Sequence, residues 1–225
     1  MKTSRLIAIL SFAASLALHG HSAPEVPREG HFEGTLKLTP ISASMMRVDE
    51  HISYNDGVNH QIDVETGFKT DGASIPQVLW SIVGSPFSGW GRSGSYVEAA
   101  VIHDKGCESK KYDWQTTHRM FYTAMLDSGV DSNYAKLLYY GVRLGGPRWA
   151  SQLIVRPPHT GKNPASPRPY WETTIKKSYP PSENQVTAFK RELESRQAQG
   201  NPMTPEEIDS ITSGELRRLD GDGHQ

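Results

Sequence analysis

Cysteine is almost absent from this sequence, because Cys107 is the only one among 225 residues. A single cysteine cannot form a disulfide within the chain, so packing or a metal ion must hold the fold together. An excess of positive charge is also lacking, since 24 Lys and Arg residues oppose 25 Asp and Glu residues and give a net charge of -1. We therefore expect no nucleic-acid partner, because the chain has no broad positive field to hold a polyanion.

Long hydrophobic runs are lacking as well, with the exception of Leu6–Leu18, which follows the basic residues Lys2 and Arg5. This pattern is typical of a secretory signal peptide, because the apolar run is too short for a membrane span. We predict a signal peptide over residues 1–22, and a mature chain that starts near Ala23 and has no transmembrane helix. The protein is then expected to be exported, either periplasmic or secreted. An N-terminal membrane anchor is the alternative interpretation.

Residues 31–68 alternate between apolar and polar side chains, which predicts two or three strands. The cluster Asn55–Gly57 is typical of a turn, so Met46–Tyr54 and Val58–Phe68 are predicted to form a hairpin. After this region the pattern becomes helical, and a proline in the first turn predicts a helix over 76–83.

Helical spacing of apolar residues continues downstream and predicts three helices, at Ser95–Cys107, Asp113–Ser128 and Asn133–Leu144. The links between them are short and require antiparallel neighbours, so a core domain is expected over residues 31–155. The predicted fold class is α+β, with a short antiparallel sheet or hairpin packed on a unit of three to four helices.

Proline is concentrated after this core, because seven of the fifteen prolines lie within 156–181. This density excludes regular structure and predicts a proline-rich arm or linker over residues 156–183. Residues 184–225 are polar and are predicted to form a helical tail. In this tail, Asn184–Ala198 shows helical spacing, and Thr204 opens a last short helix.

Two histidines occupy the predicted helical hairpin at nearly the same distance from its turn. His103 lies late in one helix and His118 early in the next, so antiparallel packing places them at the same height. His118 shares the apolar face of its helix with Trp114 and Phe121, and His103 shares its own face with Cys107. We therefore expect two buried histidines that lie close together and need polar partners.

Three interpretations of this cluster are open. In the first, His103 is a general base that activates water, while Asp104 binds a divalent cation that polarises the substrate. In the second, His103, Cys107 and His118 bind zinc and leave one coordination position open for water. In the third, the histidines are structural and form hydrogen bonds with backbone carbonyls or with Asp113.

Asp71 is a further candidate, because it lies between Thr70 and Gly72 at a predicted strand end, where binding sites are often built. It would act as a metal ligand or would orient a catalytic base. The alternative is a tight turn in which the carboxylate binds its own backbone.

Several motifs occur in order over residues 33–150. They are TDGASIP at 70–76 with Trp80, AAVIHD at 99–104, Phe121 with Ala124 and Met125, and YGVR at 140–143 with Gly145 and Trp149. Together they resemble an uncharacterised domain family of phages and bacteria. The resemblance implies domain boundaries and a phage or prophage context, but no reaction.

The His103-Asp104 pair also resembles the secreted calcium-dependent phospholipases of the A-two type. Those enzymes place a His-Asp pair on one helix, and on an antiparallel helix they place an acidic residue followed by a Phe, here Phe121. This resemblance implies that His103 is the base and Asp104 a calcium ligand. The sequence departs from the pattern because His118 replaces the orienting carboxylate, and the glycine-rich calcium loop and the disulfides are missing.

The combined expectation is a metal-assisted hydrolase that acts on an envelope ester or amide bond, with His103 and Asp104 as catalytic residues. The candidate ligands for zinc or calcium are Asp71, Asp104, Cys107 and His118. The rival hypothesis is a non-catalytic binding or structural module, derived from a phage or belonging to the envelope, in which the cluster is structural. An envelope component or a small substrate is the expected partner.

Overall fold

The computed structural model of the chain describes residues 30–72, 95–155 and 169–221. These residues form an α+β fold, which confirms the predicted class. The strands are β1 (His31–Glu33), β2 (Leu38–Pro40), β3 (Met46–Val48), β4 (Ile52–Asn55), β5 (Gln61–Val64), β6 (Lys69–Thr70), β7 (Arg148–Val155) and β8 (Pro169–Lys176). The helices are α1 (Val97–Ser109), α2 (Trp114–Asp127), α3 (Ser132–Gly145), α4 (Glu183–Ala198) and α5 (Pro205–Gly221).

Two of the predicted elements lie outside the described residues, namely the signal peptide over 1–22 and the helix over 76–83. Among the helices that the structure describes, none is both long enough and apolar enough to cross a bilayer.

The strands form three small antiparallel sheets with the orders β1-β4-β5, β2-β3-β6 and β7-β8. The centre of the predicted hairpin is confirmed, because β4 pairs with β5 and places Ile52 opposite Val64. The prediction of one strand over Met46–Tyr54 is wrong, since β3 and β4 belong to different sheets. The chain leaves the β3 sheet after Asp49, whose N–H donates to the carbonyl oxygen of Lys37 at 2.9 Å. Six short strands therefore replace the predicted two or three.

The three central helices are confirmed, and each begins and ends within two residues of its predicted bounds. Asp113 caps α2 by accepting from the N–H of Thr116, and Asp131 caps α3 by accepting from the N–H of Tyr134. Helix α1 ends at Ser109, and its C-cap residue Lys110 has a left-handed backbone with a φ of 50°. Local capping and periodicity thus define this part of the fold.

Helix α1 packs against both α2 and β5. Gly106 allows this close approach, because a Cβ atom at this position would lie 2.7 Å from Cγ2 of Thr117 and 2.9 Å from Cδ1 of Ile62. Most of the other buried residues of α1 are small or branched apolar residues, such as Ala99, Ala100 and Ile102. The short distance between α1 and α2 brings their polar side chains together inside the core.

The proline-rich segment contains a strand that the sequence analysis did not predict. Strand β8 pairs with β7 along its whole length, with Arg148 opposite Lys176 and Val155 opposite Pro169. The exclusion of regular structure is therefore wrong for residues 169–176. Pro169 is the only proline of this strand and is its first residue, where a missing N–H is tolerated.

The two C-terminal helices, α4 and α5, both pack against α3. The rings of Tyr140 on α3 and Phe189 on α4 stack, with a centroid distance of 4.0 Å and an angle of 10° between the planes. Val186 and Ile208 are fully buried in the same core. The predicted polar tail thus supplies an apolar face to the core of the protein.

Candidate metal centre

The helical hairpin of α1 and α2 brings the two predicted histidines together. The centroids of the His103 and His118 rings are 5.0 Å apart, with an angle of 49° between the planes. This agrees with their near-equal distance from the turn between the helices. The antiparallel arrangement of α1 and α2 therefore sets the position of both rings.

Cys107 completes a group of three potential ligands. It lies one helical turn after His103 on α1, and its Sγ atom is 3.5 Å from Nε2 of His103. One ligand atom from each of His103, Cys107 and His118 can be chosen so that all three lie within 4.8 Å of one another. The described residues thus contain a His-Cys-His group that could hold a metal ion.

The two histidines are buried without the hydrogen bonds that buried imidazoles normally make. His103 is 1% exposed and His118 is fully buried. Nδ1 of His103 and both ring nitrogens of His118 lack a hydrogen-bond partner. The carbonyl group of Pro147 acts to raise the pKa of His118, but it forms no hydrogen bond of normal geometry with the ring. Buried polar atoms of this kind require an explanation.

In the structural interpretation the histidines form hydrogen bonds with backbone carbonyls or with Asp113, and no hydrogen bond to Asp113 is found. The Asp113 carboxylate instead accepts from the backbone N–H of Thr116 at 2.7 Å and from its hydroxyl group at 3.0 Å. It therefore serves as the N-cap of α2. Neither His103 nor His118 therefore forms a hydrogen bond with the Asp113 carboxylate.

Aromatic rings surround the cluster. Phe121 lies 4.9 Å from the His103 ring, and Trp114 meets the His118 ring edge to face at 5.4 Å, both measured between centroids. On another side, a Cβ atom at Gly146 would lie 3.2 Å from Nε2 of His118. This glycine had no recognised role in the sequence analysis, because its contact with His118 depends on how α3 ends beside α2.

Burial dominates the electrostatics of the site. It lowers the pKa of His103 to about 4. It also lowers the pKa of His118, and electrostatic repulsion from His103 and Arg143 lowers that pKa further. Burial raises the pKa of the Cys107 thiol, and the negative charge of Asp104 adds to this increase. Both imidazoles are therefore neutral at pH 7, which is the form that binds metals.

Two buried arginines lie near this site, and both are paired. Arg143 forms an ion pair with Asp209 on α5, at 3.2 Å from Nε to Oδ1. Arg148 forms an ion pair with Asp220, the penultimate residue of α5, at 3.1 Å from Nη2 to Oδ1. These carboxylates oppose the two positive charges that would otherwise disfavour a cation beside His118.

Asp104 and Asp71 do not belong to the His-Cys-His group. Oδ2 of Asp104 accepts a hydrogen bond of 2.5 Å from the Thr70 hydroxyl, whose oxygen accepts from the N–H of Gly72 at 3.1 Å. Asp71 is exposed beside them. Asp104 thus links α1 to the end of β6, and the metal-ligand roles of both aspartates remain predictions.

Comparison with known proteins gives a family without an assigned activity. A family model described as "Protein of unknown function (DUF1353)" matches residues 46–142. Uncharacterized protein y4iH of Sinorhizobium fredii (strain NBRC 101917 / NGR234) is 40% identical over 136 residues, which cover 59% of this chain and 54% of that protein. Uncharacterized protein y4jT of the same strain is 37% identical over 136 residues, which cover 58% of this chain and 39% of that protein.

The chain thus spans about half, or less, of the length of these curated relatives. No solved structure gives a significant match. Neither the family description nor the names of these relatives mention a phage or a phospholipase, so both of those resemblances remain predictions. The similarities support an uncharacterised domain family for residues 46–142, the segment that holds His103, Cys107 and His118.

Proposed function

We propose that this domain binds a zinc ion through His103, Cys107 and His118. The observation that carries the proposal is the convergence of three ligand atoms from two helices to within 4.8 Å of one another. The unsatisfied ring nitrogens support it, because a metal ion would provide the partner that these buried atoms lack. Zinc binding is therefore the function that the geometry supports best.

The distances and donor types favour zinc over calcium. In a tetrahedral site with typical zinc bond lengths, a nitrogen and a sulfur ligand are about 3.5 Å apart. The separation of Nε2 of His103 and Sγ of Cys107 is 3.5 Å. Calcium prefers six to eight oxygen ligands, whereas this group offers nitrogen and sulfur. A zinc ion would also offset the raised pKa of the Cys107 thiol, since it binds the thiolate.

Metal content and spectroscopy of the full chain test this proposal. We expect about one zinc ion per chain after loading and dialysis, measured by mass spectrometry. A cobalt-substituted sample should show a thiolate-to-cobalt charge-transfer band. Cys107→Ser should remove this band and weaken metal binding at least tenfold. Asp104→Asn, one residue from His103 on the same helix, is the matched control and should retain both signals. Equal metal affinity in the wild type and in Cys107→Ser would contradict the proposal.

A metal-assisted hydrolase is the second candidate, and the number of ligands favours it. Catalytic zinc sites generally have three protein ligands and one open position, whereas structural sites have four protein ligands. The described group has three, and Cys107 is only partly buried. If the predicted export is correct, the substrate would be an ester or amide bond of the cell envelope. In this arrangement His103 holds the metal, whereas the sequence-based hypothesis made His103 the base and Asp104 the metal ligand.

Variants separate these forms of the hydrolase hypothesis. The zinc-loaded chain would be assayed with chromogenic ester and amide substrates. If His103, Cys107 and His118 hold a catalytic metal, Cys107→Ser abolishes turnover and Asp104→Asn keeps it. If Asp104 is the metal ligand and His103 the base, Asp104→Asn abolishes turnover and Cys107→Ser keeps it. Absence of turnover in the loaded wild type contradicts both forms and leaves the non-catalytic module.

A further inference from the structure

A cavity of about 640 Å³ opens between the α1–α2 turn and the β7–β8 hairpin. Its volume lies within the range of small-molecule binding sites. Its walls are formed by aromatic rings, lysines and hydroxyl groups from the two elements, chiefly Lys110, Lys111, Tyr112, Trp149, Ser151 and Trp171. None of these residues takes part in the proposed metal centre.

Two tryptophans of the hairpin line this cavity in different ways. Trp149 on β7 is buried, and its Nε1 donates to the carbonyl oxygen of Tyr112 at 3.2 Å. Trp171 on β8 is 69% exposed, although tryptophan is usually well buried. The exposed ring of Trp171 therefore offers a flat apolar surface to a ligand, and the buried Trp149 is held in place on the same wall.

Two lysines bring positive charge to the same opening. The Lys110 ammonium lies 5.9 Å from the centroid of the Trp149 ring, and the Lys111 ammonium donates to the carbonyl oxygen of Gln61 at 2.8 Å. No carboxylate among the described residues forms an ion pair with either lysine, since Asp113 is engaged as a helix cap. Asp113 also lines the cavity, but its carboxylate is held by Thr116. The cavity thus combines an aromatic face with two lysines that form no ion pair with a described carboxylate.

Hydroxyl groups complete the wall. Oγ of Ser151 and Oγ1 of Thr173 lie 2.9 Å apart across the hairpin, and Ser109 adds a third hydroxyl group. Each hydroxyl has one donor and two acceptor positions, so the Ser151–Thr173 pair retains capacity for a ligand. These groups match the hydroxyl-rich edge of a sugar ring.

We propose that this cavity binds an acidic saccharide. The sugar ring would stack on Trp171, its hydroxyl groups would face Ser151 and Thr173, and its carboxylate would face Lys110 and Lys111. A neutral sugar would leave the two ammonium groups without a counter-charge. A nucleotide would use the aromatic and positive groups, but it would make less use of the hydroxyl wall.

Titration of the full chain with three probes at low ionic strength tests this assignment. The probes are tetragalacturonate, the neutral galactotetraose, and uridine monophosphate, with binding followed by tryptophan fluorescence and calorimetry. We expect tetragalacturonate to bind at least tenfold more tightly than galactotetraose. Trp171→Ala and the double variant Lys110→Asn/Lys111→Gln should each weaken this binding at least tenfold. Chelator should have no effect, which separates this site from the proposed metal centre.

Lys176→Gln is the matched control, because it removes a positive charge from the opposite face of the same hairpin. It should leave the affinity for tetragalacturonate within twofold of the wild type. Equal binding of the acidic and neutral saccharides, or binding of uridine monophosphate alone, would overturn the assignment. Lack of binding to tetragalacturonate by the folded wild-type chain would also overturn it.

Discussion

The Sγ atom of Cys107 lies 3.5 Å from Nε2 of His103, one helical turn away on the same face of α1. Two arrangements give this distance. One is a weak hydrogen bond from the thiol to the imidazole, and the other is a pair of ligands on a tetrahedral zinc ion. The first leaves the remaining nitrogens of both histidines unsatisfied, whereas the second also engages a nitrogen of His118. The response of the protein to metal ions separates them.

Zinc should stabilise the wild-type chain against thermal unfolding. A ligand that binds only the native state contributes about 2.7 kcal/mol when its free concentration is a hundred times its Kd. We expect the melting temperature, measured by circular dichroism, to rise with zinc, to fall with chelator and to respond weakly to calcium.

The control for this prediction is Cys107→Ser, because Cys107 is partly exposed and the substitution changes little volume. This variant should melt at the same temperature with zinc and with chelator. A zinc-dependent rise of equal size in Cys107→Ser would mean that zinc binds elsewhere on the chain.

Gly146→Ala should disturb the metal centre without changing a ligand. The new Cβ atom would lie 3.1 Å from Cε1 of His118 and 2.5 Å from the carbonyl oxygen of Val142, so the end of α3 must shift. We expect a loss of about 1–3 kcal/mol in the free energy of urea unfolding. Zinc affinity should fall as well, because the His118 ring is displaced.

Gly214→Ala provides the comparison, since a Cβ atom there meets no atom within 4 Å and the residue lies within helix α5. Alanine favours the helix over glycine, so this variant should be more stable than the wild type by about 0.5–1 kcal/mol. Its zinc affinity should be unchanged. Weaker zinc binding in both variants would show that the effect of Gly146→Ala is not local.

The helical hairpin could be predicted from the sequence because its information is local. The spacing of apolar residues indicated where the helices lie. The short link between the helices placed His103 and His118 side by side at the same level of the hairpin. The strands were harder to predict from the sequence, since strand pairing depends on residues far apart in the chain. The β7–β8 hairpin requires strand pairing across the proline-rich segment. The hydrogen bond between Thr70 and Asp104 likewise joins residues that are 34 positions apart.

Asp104 and Thr70 should be coupled in stability but not required for zinc binding. The hydroxyl group of Thr70 donates to Oδ2 of Asp104, and hydrogen bonds to a charged group contribute about 1.5–3 kcal/mol. We expect Asp104→Asn and Thr70→Val each to lower the free energy of unfolding. The double variant should lose less than the sum of the single losses. Additive losses would contradict the coupling, and loss of bound zinc in Asp104→Asn would identify Asp104 as a ligand.

Asp56 should stabilise the β4–β5 hairpin in a pH-dependent way. Its Oδ1 atom accepts from the N–H groups of Val58, Asn59 and His60, and its Oδ2 atom lies 2.6 Å from Nδ1 of His60. Burial acts to raise the pKa of Asp56, but these hydrogen bonds outweigh it and hold the pKa below its usual value. A carboxylate with a lowered pKa in the folded state stabilises that state above the unfolded pKa, near 4.

Asp56→Ala should therefore cost about 1–3 kcal/mol at pH 7, measured by urea unfolding. The difference from the wild type should decrease as the pH falls below 4, because protonation removes the charge that the hairpin binds. Asp63→Ala, an exposed residue of the same hairpin, should cost much less at either pH. A cost of Asp56→Ala that stays constant down to pH 2 would contradict the role of the charge.

Asp209 should connect the C-terminal helix to the core. Its carboxylate pairs with Arg119 at 2.5 Å and with Arg143 at 3.2 Å, and it accepts from the Tyr139 hydroxyl group. Arg143 is only 2% exposed, so removal of its partner leaves a buried charge uncompensated. Because Asp209 itself is partly exposed, we expect Asp209→Ala to cost about 2–3 kcal/mol in unfolding free energy.

Glu206→Ala is the matched substitution for this prediction, because Glu206 also pairs with Arg119, at 2.9 Å, but is largely exposed. An exposed ion pair contributes at most about 1 kcal/mol, so this variant should stay close to the wild type. The two variants would be compared by urea unfolding at low and high salt, where only the Glu206 pair should respond strongly to screening. Equal costs for both variants would mean that α5 is held by its apolar face alone, through residues such as Ile208 and Leu216.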